Sequence, residues 1–573
     1  GNVSIDTVSD PPLATDEAPT VVRQDNRLAL VRTVVVLGAG LGTALRLWYL
    51  FHDPFDSDQA SVGLAAQHIL NGQFNAFYPG QFYGGVEPYV TAALFGVFGQ
   101  SALMVKLTPL LLSLVAAILT WRIALRLVSN RQVAALAGVL MWVAPLAVIW
   151  NSTVERGFRG ITMACGLAAL LLALRCLDGR RGYLDVAALG VFLGVGWWSS
   201  PEIIYFVVPI GLLLVGAVVV SPPGRRLVLW VPRTIVALAA VGVGALPWLW
   251  VNIPGFRSLK AASFPGGQTK FNNGYGDRLS TFFNHVLPTQ TNLVVPGPAT
   301  EVFRHDQPWQ LAFQFGADAI IVVAVVLCVV KGGRGLAIAA GAAVLPFIFA
   351  LQPGTWFWQD GRYGVFVGAL LVPVMAIACD QVPLLVARYG RGHRHRQARV
   401  PISGRYLMIA LVVVAAVFSV VSFNQWAAGT GGFFSNWGDP NAPVLQAIDR
   451  LEAGGVRAGY AQYWVAYDLD FLSKERLVVT TVPGADTNRF TSLNRTVEGS
   501  RQQAWLFVPP KRFAQAFPLF GYLTAIQGPA SMPESVFTAR LQALGIPYRT
   551  VDAGLIRAVI PARSVTPKQV GLP

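Results

Sequence analysis

Apolar residues run through most of this chain in long unbroken stretches. About 20 consecutive apolar residues cross the hydrocarbon core of a bilayer, and on that template the sequence predicts about eleven spans. They fall near residues 29–51, 101–128, 133–150, 158–177, 184–199, 201–220, 228–252, 310–330, 335–352, 363–380 and 405–425. Residues 1–28 are polar, carry Pro11, Pro12 and Pro19, and read as a disordered tail. The first apolar run is expected to stay as a membrane anchor. After the last span the pattern changes. Short strand-like runs at 456–461, 476–482 and 504–509 and in the closing TVDAGLIRAVIP alternate with helical periodicity at 442–454 and 463–473. The predicted fold class is therefore a polytopic α-helical membrane domain, 29–425, followed by an extracytoplasmic soluble α/β domain, 426–573, with at least four strands.

Composition agrees. Apolar residues make up 54% of the 573 and charged residues only 13%, too few charges to cover the surface of a soluble protein of this size. The net charge of +15 would suggest nucleic acid in a soluble chain. Here it is better explained by Lys and Arg kept on cytoplasmic loops. With the N-terminus inside, every inside connection is basic: Arg126/Arg131, Arg180/Arg181, Arg225/Arg226, Lys331/Arg334 and the run RYGRGHRHRQAR. The latter, with its two histidines, reads as a lipid-facing electrostatic loop. An odd number of spans puts the C-terminal domain outside, together with loops 52–100, 151–157, 253–309 and 353–362. The four cysteines lie in or beside apolar runs with no CxxC, which rules out a cysteine metal site and predicts no disulfides in the polar segments.

The candidate chemistry is outside. The loop after the first span reads FHDPFDSDQASVGLAAQHIL, with Asp53, Asp56 and Asp58 at the membrane mouth. Carboxylates there are costly unless solvated or used. From Asp58 the apolar positions Val62, Leu64, Ala65, Ile69 and Leu70 predict a short helix lying in the interface plane. Asp58 would stand at its N-terminus, as a dipole-stabilised acid or simply as its cap. The DSD spacing also suits a divalent-cation clamp (Mg or Mn) of Asp56 and Asp58. The turn WNSTVERGFRG offers Glu155, either as an interfacial charge or as a further acid facing the first loop. Arg362 opens a late span beside Trp356 and Trp358, placed either to snorkel or to bind a phosphate. Trp197, Trp198 and Trp464 are candidate acceptor contacts, with belt or core packing as the simpler explanation. The long loop 253–309 reads as a lid.

An outer loop after the first span, whose acids open a short helix, resembles the membrane glycosyltransferases of the GT-C superfamily, in their protein O-mannosyltransferase and aminoarabinose-transferase branch. Asp58-Gln59 followed by ASVGLAAQHIL stands where that branch carries its Asp-Glu pair. Tyr83-Gly-Gly-Val-Glu87-Pro88 stands where it carries an aromatic and Lys-Pro element. Glu155 matches its second acid and Arg362-Tyr363 its late Arg-Tyr pair. Gln59 departs from the pattern, which leaves Asp56 and Asp58 as the carboxylates, and the loop lysine is replaced near Glu87.

The resemblance implies that a sugar moves from a polyprenyl phosphate to a cell-envelope acceptor, with inversion, at the outer face of the plasma membrane. It implies Asp58 as general base, with Asp56 or Glu155 orienting the acceptor or holding a metal. Donor contacts would come from Arg362, Tyr363, Tyr83 and Glu87, or from Lys260 or Lys270 in the long loop. Two other readings stay open at this point: a transporter or lipid-linked-sugar flippase, and a non-catalytic envelope scaffold. The acids cluster outside the spans and the two halves show no internal repeat, which favours chemistry over transport.

Overall fold

The computed structural model describes residues 18–81, 83–178, 182–252, 274–291, 308–352, 361–389, 403–429, 438–512, 528–529 and 532–573. Among them, eight helices are long and apolar enough to cross a membrane: Leu28–His52, Ala102–Leu127, Arg159–Leu177, Pro201–Val219, Pro223–Gly244, Leu311–Lys331, Phe366–Val386 and Gly404–Asn424. Three shorter apolar helices, Arg131–Val143, Tyr183–Ser199 and Arg334–Phe349, take the other predicted positions. The chain is a multi-pass membrane protein.

Prolines and small residues explain the differences from the sequence expectation. The span expected over 133–150 stops at Val143, because Ala144 at φ 30° and Pro145 cannot continue a helix, and a second short helix follows at Leu146–Asn151. The run expected over 228–252 breaks at Ala245. Helix α1 (Ala18–His52) begins inside the stretch read as a disordered tail, and that expectation is corrected from Ala18 onward. The Tyr183–Ser199 and Arg226–Gly244 helices pack backbone to backbone. A Cβ on Gly194 would lie 2.2 Å from Val241 O, and one on Gly244 2.4 Å from Val191 O. This is the small-residue packing expected where lipid gives helices no hydrophobic reason to associate.

Several loops predicted on the basic side meet at one end of the bundle. Asp178 is paired with both Arg126 and Arg334, Lys331 Nζ donates to Leu127 O at 2.6 Å, and Asp380 accepts from Ser129 N at 3.0 Å. The acids of the first outer loop lie elsewhere, against the C-terminal domain.

That domain has a five-stranded sheet of order β2-β1-β3-β5-β4, with β1 Ala458–Tyr460, β2 Val478–Thr480, β3 Ala504–Phe507, β4 Tyr548–Asp552 and β5 Arg557–Pro561. β1 pairs parallel to β2 and β3, and β5 runs antiparallel to β3 and β4. The closing segment is thus a hairpin, two strands rather than one. Helices Ala442–Ala453, Tyr463–Leu472 and Thr491–Glu498 are built on this sheet. The Tyr463–Leu472 helix also lies across helix α2 (Ser57–Leu70) of the membrane domain, where Phe471 packs with Phe55 and Phe95.

Candidate active site

Helix α2 begins one residue before the expected Asp58. Asp56 is its N-cap: its backbone is extended (φ −130°, ψ 167°) and its Oδ1 accepts from Gln59 N at 3.0 Å. Asp58 therefore sits in the first turn, with its carboxylate free of capping. The helix is also not interfacial. Twelve of its residues, from Ser57 to Ile69, are buried, because the second domain covers the face expected to meet headgroups. A Cβ on Gly63 would meet the Phe471 ring at 2.5 Å, so this glycine permits the close approach. His68 Nε2 and Gln67 Nε2 reach Glu475 at 2.9 and 3.3 Å, giving the polar side of the helix partners on the other domain.

Three segments remote in sequence converge on Asp58. Arg156 Nη1 bridges Asp56 Oδ2 at 3.1 Å and Asp58 Oδ2 at 2.7 Å. Arg362 Nη1 reaches the same Asp58 oxygen at 3.3 Å. From the C-terminal domain, the Tyr463 hydroxyl donates to Asp58 Oδ1, and Arg489 Nε and Nη2 donate to the Tyr463 oxygen at 3.3 Å each. Tyr78 Oη donates to Asp58 O at 3.1 Å, and Arg489 lies over the Tyr78 ring. Burial alone would raise the Asp58 pKa. Arg156, Arg362, Arg489 and the Tyr463 hydroxyl outweigh it and hold the group near 2. Asp56 is pushed up by burial, against the pull of Arg156. Asp53 is pushed up by burial to about 6, with Lys106 opposing.

The other predicted residues fall around this core. Glu155 and Glu87 form a second carboxyl pair, apart from Asp56 and Asp58. Glu155 is driven well above its ordinary pKa by burial and by Glu87 beside it. Glu87 Oε1 accepts from Ile161 N at 2.7 Å, which anchors the start of the Arg159–Leu177 helix. Tyr363 stacks under Arg159, whose guanidinium pairs with the buried Glu202 at 3.4 Å. Tyr83 meets Phe158 edge-on at 4.8 Å. Trp197 packs against Trp248, and Trp198 Nε1 donates to Ala76 O, so both have packing duties at the rim. Trp464 is partly buried between the two cores and offers no open platform. Lys260, Lys270, Trp356 and Trp358 lie outside the described residues, as does most of the loop read as a lid. Its described middle is helical, at Tyr275–Thr281 and Leu287–Gln290.

In the structure the Asp56 and Asp58 carboxylates are paired with a guanidinium. Arg156 already stands between the two carboxylates, and among the described residues no group of three His, Cys, Asp or Glu side chains is arranged to hold a metal ion. Sequence reasoning missed the Arg156 bridge, Tyr463 and Arg489. Arg156 was visible beside Glu155, but its two partners were not; Tyr463 and Arg489 reach the site only through domain docking.

An apolar cavity of ≈ 250 Å³ opens between the late helices, lined by Phe282, Leu287, Val325, Leu345, Val367 and Leu370. Val367 and Leu370 lie on the helix that starts just after Arg362 and Tyr363.

Comparison with known proteins fits this architecture. The family model for dolichyl-phosphate-mannose-protein mannosyltransferase matches residues 86–250. The fold is ArnT-like. The apo crystal structure of ArnT from Cupriavidus metallidurans superposes with a TM-score of 0.57 at 13% identity, covering 92% of this chain and 97% of that one. The structure of the same protein bound to undecaprenyl phosphate gives 0.54 at 13% identity, over 94% and 98%. A search of curated protein sequences finds no match. The resemblance read from the first outer loop, to the GT-C superfamily and its mannosyltransferase and ArnT branch, stands on these two kinds of likeness.

Proposed function

We propose that the protein is a glycosyltransferase that moves a hexose or pentose, such as mannose or an arabinose, from a polyprenyl-phosphate donor to a hydroxyl of a cell-envelope glycan, lipid or protein. The reaction takes place at the outer face of the plasma membrane, with the N-terminus in the cytoplasm. The observation that carries the reading is the Asp58 carboxylate, paired with Arg156 and Arg362 at the mouth of the membrane domain and held strongly acidic by them.

In this reading the donor phosphate docks against Arg362 and Arg156 while its prenyl chain runs into the apolar cavity beyond Tyr363. The phosphate competes with Asp58 for the arginines. As it draws them off, the carboxylate loses the charges that hold its pKa near 2 and becomes a stronger base. The acceptor oxygen then attacks the anomeric carbon from the face opposite the phosphate, and its proton passes to Asp58. The bond from the anomeric carbon to the phosphate oxygen breaks with its electron pair. The polyprenyl phosphate leaves with a second negative charge, stabilised by the arginines. In this reading Arg156, which bridges Asp56 and Asp58, supplies the positive charge between them.

The test is to incubate the purified protein with a panel of labelled polyprenyl-phosphate pentoses and hexoses plus envelope extract. Wild type should move label from one donor, and Asp58→Asn should be slower by about 10²–10⁴-fold, the usual worth of a positioned base. Equal transfer by both proteins removes Asp58 from the role. No transfer from any donor by folded wild type sinks the enzyme reading.

A further inference from the structure

Arg489 has donor capacity that the C-terminal domain does not use. Its Nε and Nη2 both point at Tyr463 Oη, and its backbone N donates to Tyr467 Oη at 2.7 Å, which fixes the residue in place. Its Nη1 is buried and has no hydrogen-bond partner among the described residues. A buried charged donor without an acceptor is expensive. The guanidinium lies 4.8 Å from the Tyr78 ring centroid, on the side of the site where Tyr78 holds the Asp58 backbone. Counting formal charge around Asp58, Arg156, Arg362 and Arg489 give +3 and Asp56 and Asp58 give −2, an excess of one positive charge. A sugar linked to a prenyl chain through one phosphate is a phosphodiester with a single negative charge, which balances that excess.

We infer that Arg489 is a donor-phosphate ligand supplied by the C-terminal domain, with its free Nη1 aimed at a phosphate oxygen. The inference rests on the donor reading above. It makes the soluble domain part of the donor site rather than an appended acceptor module, and it makes the site complete only when the two domains are docked.

The experiment is equilibrium binding of undecaprenyl phosphate and of undecaprenol to the full-length protein in nanodiscs, followed by intrinsic tryptophan fluorescence. The proteins are wild type, Arg489→Gln, Arg489→Lys and Arg362→Gln. Wild type should prefer the phosphate. Arg489→Gln should weaken phosphate binding by about tenfold or more, the worth of a hydrogen bond to a charged group, and leave the alcohol unchanged. Arg489→Lys should show an intermediate loss, because a point charge cannot reproduce the guanidinium fork. Thermal unfolding of each variant identifies any that fail to fold. If Arg489→Gln fails, unchanged phosphate affinity in Arg489→Lys overturns the inference. Wild-type affinity in Arg489→Gln, with loss in Arg362→Gln, also overturns it and leaves the proposed function standing. A wild type that binds phosphate and alcohol equally overturns both.

Discussion

Arg156→Gln tests the electrostatic core of the site. Arg156 Nη1 lies 3.1 Å from Asp56 and 2.7 Å from Asp58, and all three side chains are buried. At an effective dielectric of about 20, those separations correspond to gross attractions of roughly 5 and 6 kcal/mol, much of it offset by desolvation. Breaking a buried pair by removing one partner typically costs about 3–5 kcal/mol. Arg362 and Arg489 still attend Asp58, so the loss falls mainly on Asp56 and should sit near the lower end, about 3 kcal/mol. The assay is equilibrium unfolding in mixed micelles, with Asp56→Asn and the double variant completing a cycle. The coupling should be about 1.5–3 kcal/mol, because the double variant no longer strands a charge. The pH dependence has a definite sign. Without Arg156 the folded pKa of Asp56, already raised, moves further up. Stability then falls as pH rises above the unfolded value near 3.9, so the deficit should be smaller at pH 5 than at pH 8. A loss below about 1 kcal/mol, or a coupling within about 0.5 kcal/mol of zero, would refute the paired geometry.

Three further outcomes are expected. Gly63→Ala, whose Cβ would sit 2.5 Å from the Phe471 ring, should cost about 1–3 kcal/mol and lower transfer, and Phe471→Leu should restore both; activity unchanged by Gly63→Ala would show that domain docking does not set the α2 position. Glu155→Gln should stabilise the protein at neutral pH, since burial and Glu87 raise the folded pKa of Glu155 above the unfolded value near 4.3, so the unfolded chain ionises first as pH rises; unfolding measured at pH 5 and pH 8 should show the gain growing with pH, and a gain that shrinks would contradict the raised pKa. Transfer should persist in EDTA, because Arg156 bridges Asp56 and Asp58; loss of activity that Mg or Mn restores would place a metal there after all.

The membrane domain was legible because a run of about 20 apolar residues has few soluble explanations. The basic loops predict one sidedness, and several of them meet at one end of the bundle through Asp178, Lys331 and Asp380. Asp58 and Arg362 were legible for a related reason: charges at span mouths are rare enough to single out. The cap of α2 was not. Asp56 and Asp58 are equally good capping residues, and only the extended backbone at Asp56 decides between them.

What escaped was everything that depends on docking the two domains. Amphipathic periodicity identifies a polar face but not what covers it. On α2, solvent and headgroups were the natural inference, whereas Glu475 satisfies His68 and Gln67 and Tyr463 reaches Asp58. Tyr463 and Tyr467 are spaced to share a face of their helix, a pattern that by itself fits core packing. They are buried, as core residues would be, but against the membrane domain, where one hydroxyl donates to the carboxylate and the other accepts from the Arg489 backbone. The acidity of Asp58 is therefore not a property of its loop. Burial raises its pKa, and arginines from three separate segments bring it down to about 2. Under the proposed reaction, a carboxylate built this way is weakest as a base when no phosphate is bound and strengthens as a phosphate takes its partners, which would tie proton acceptance to the presence of the donor.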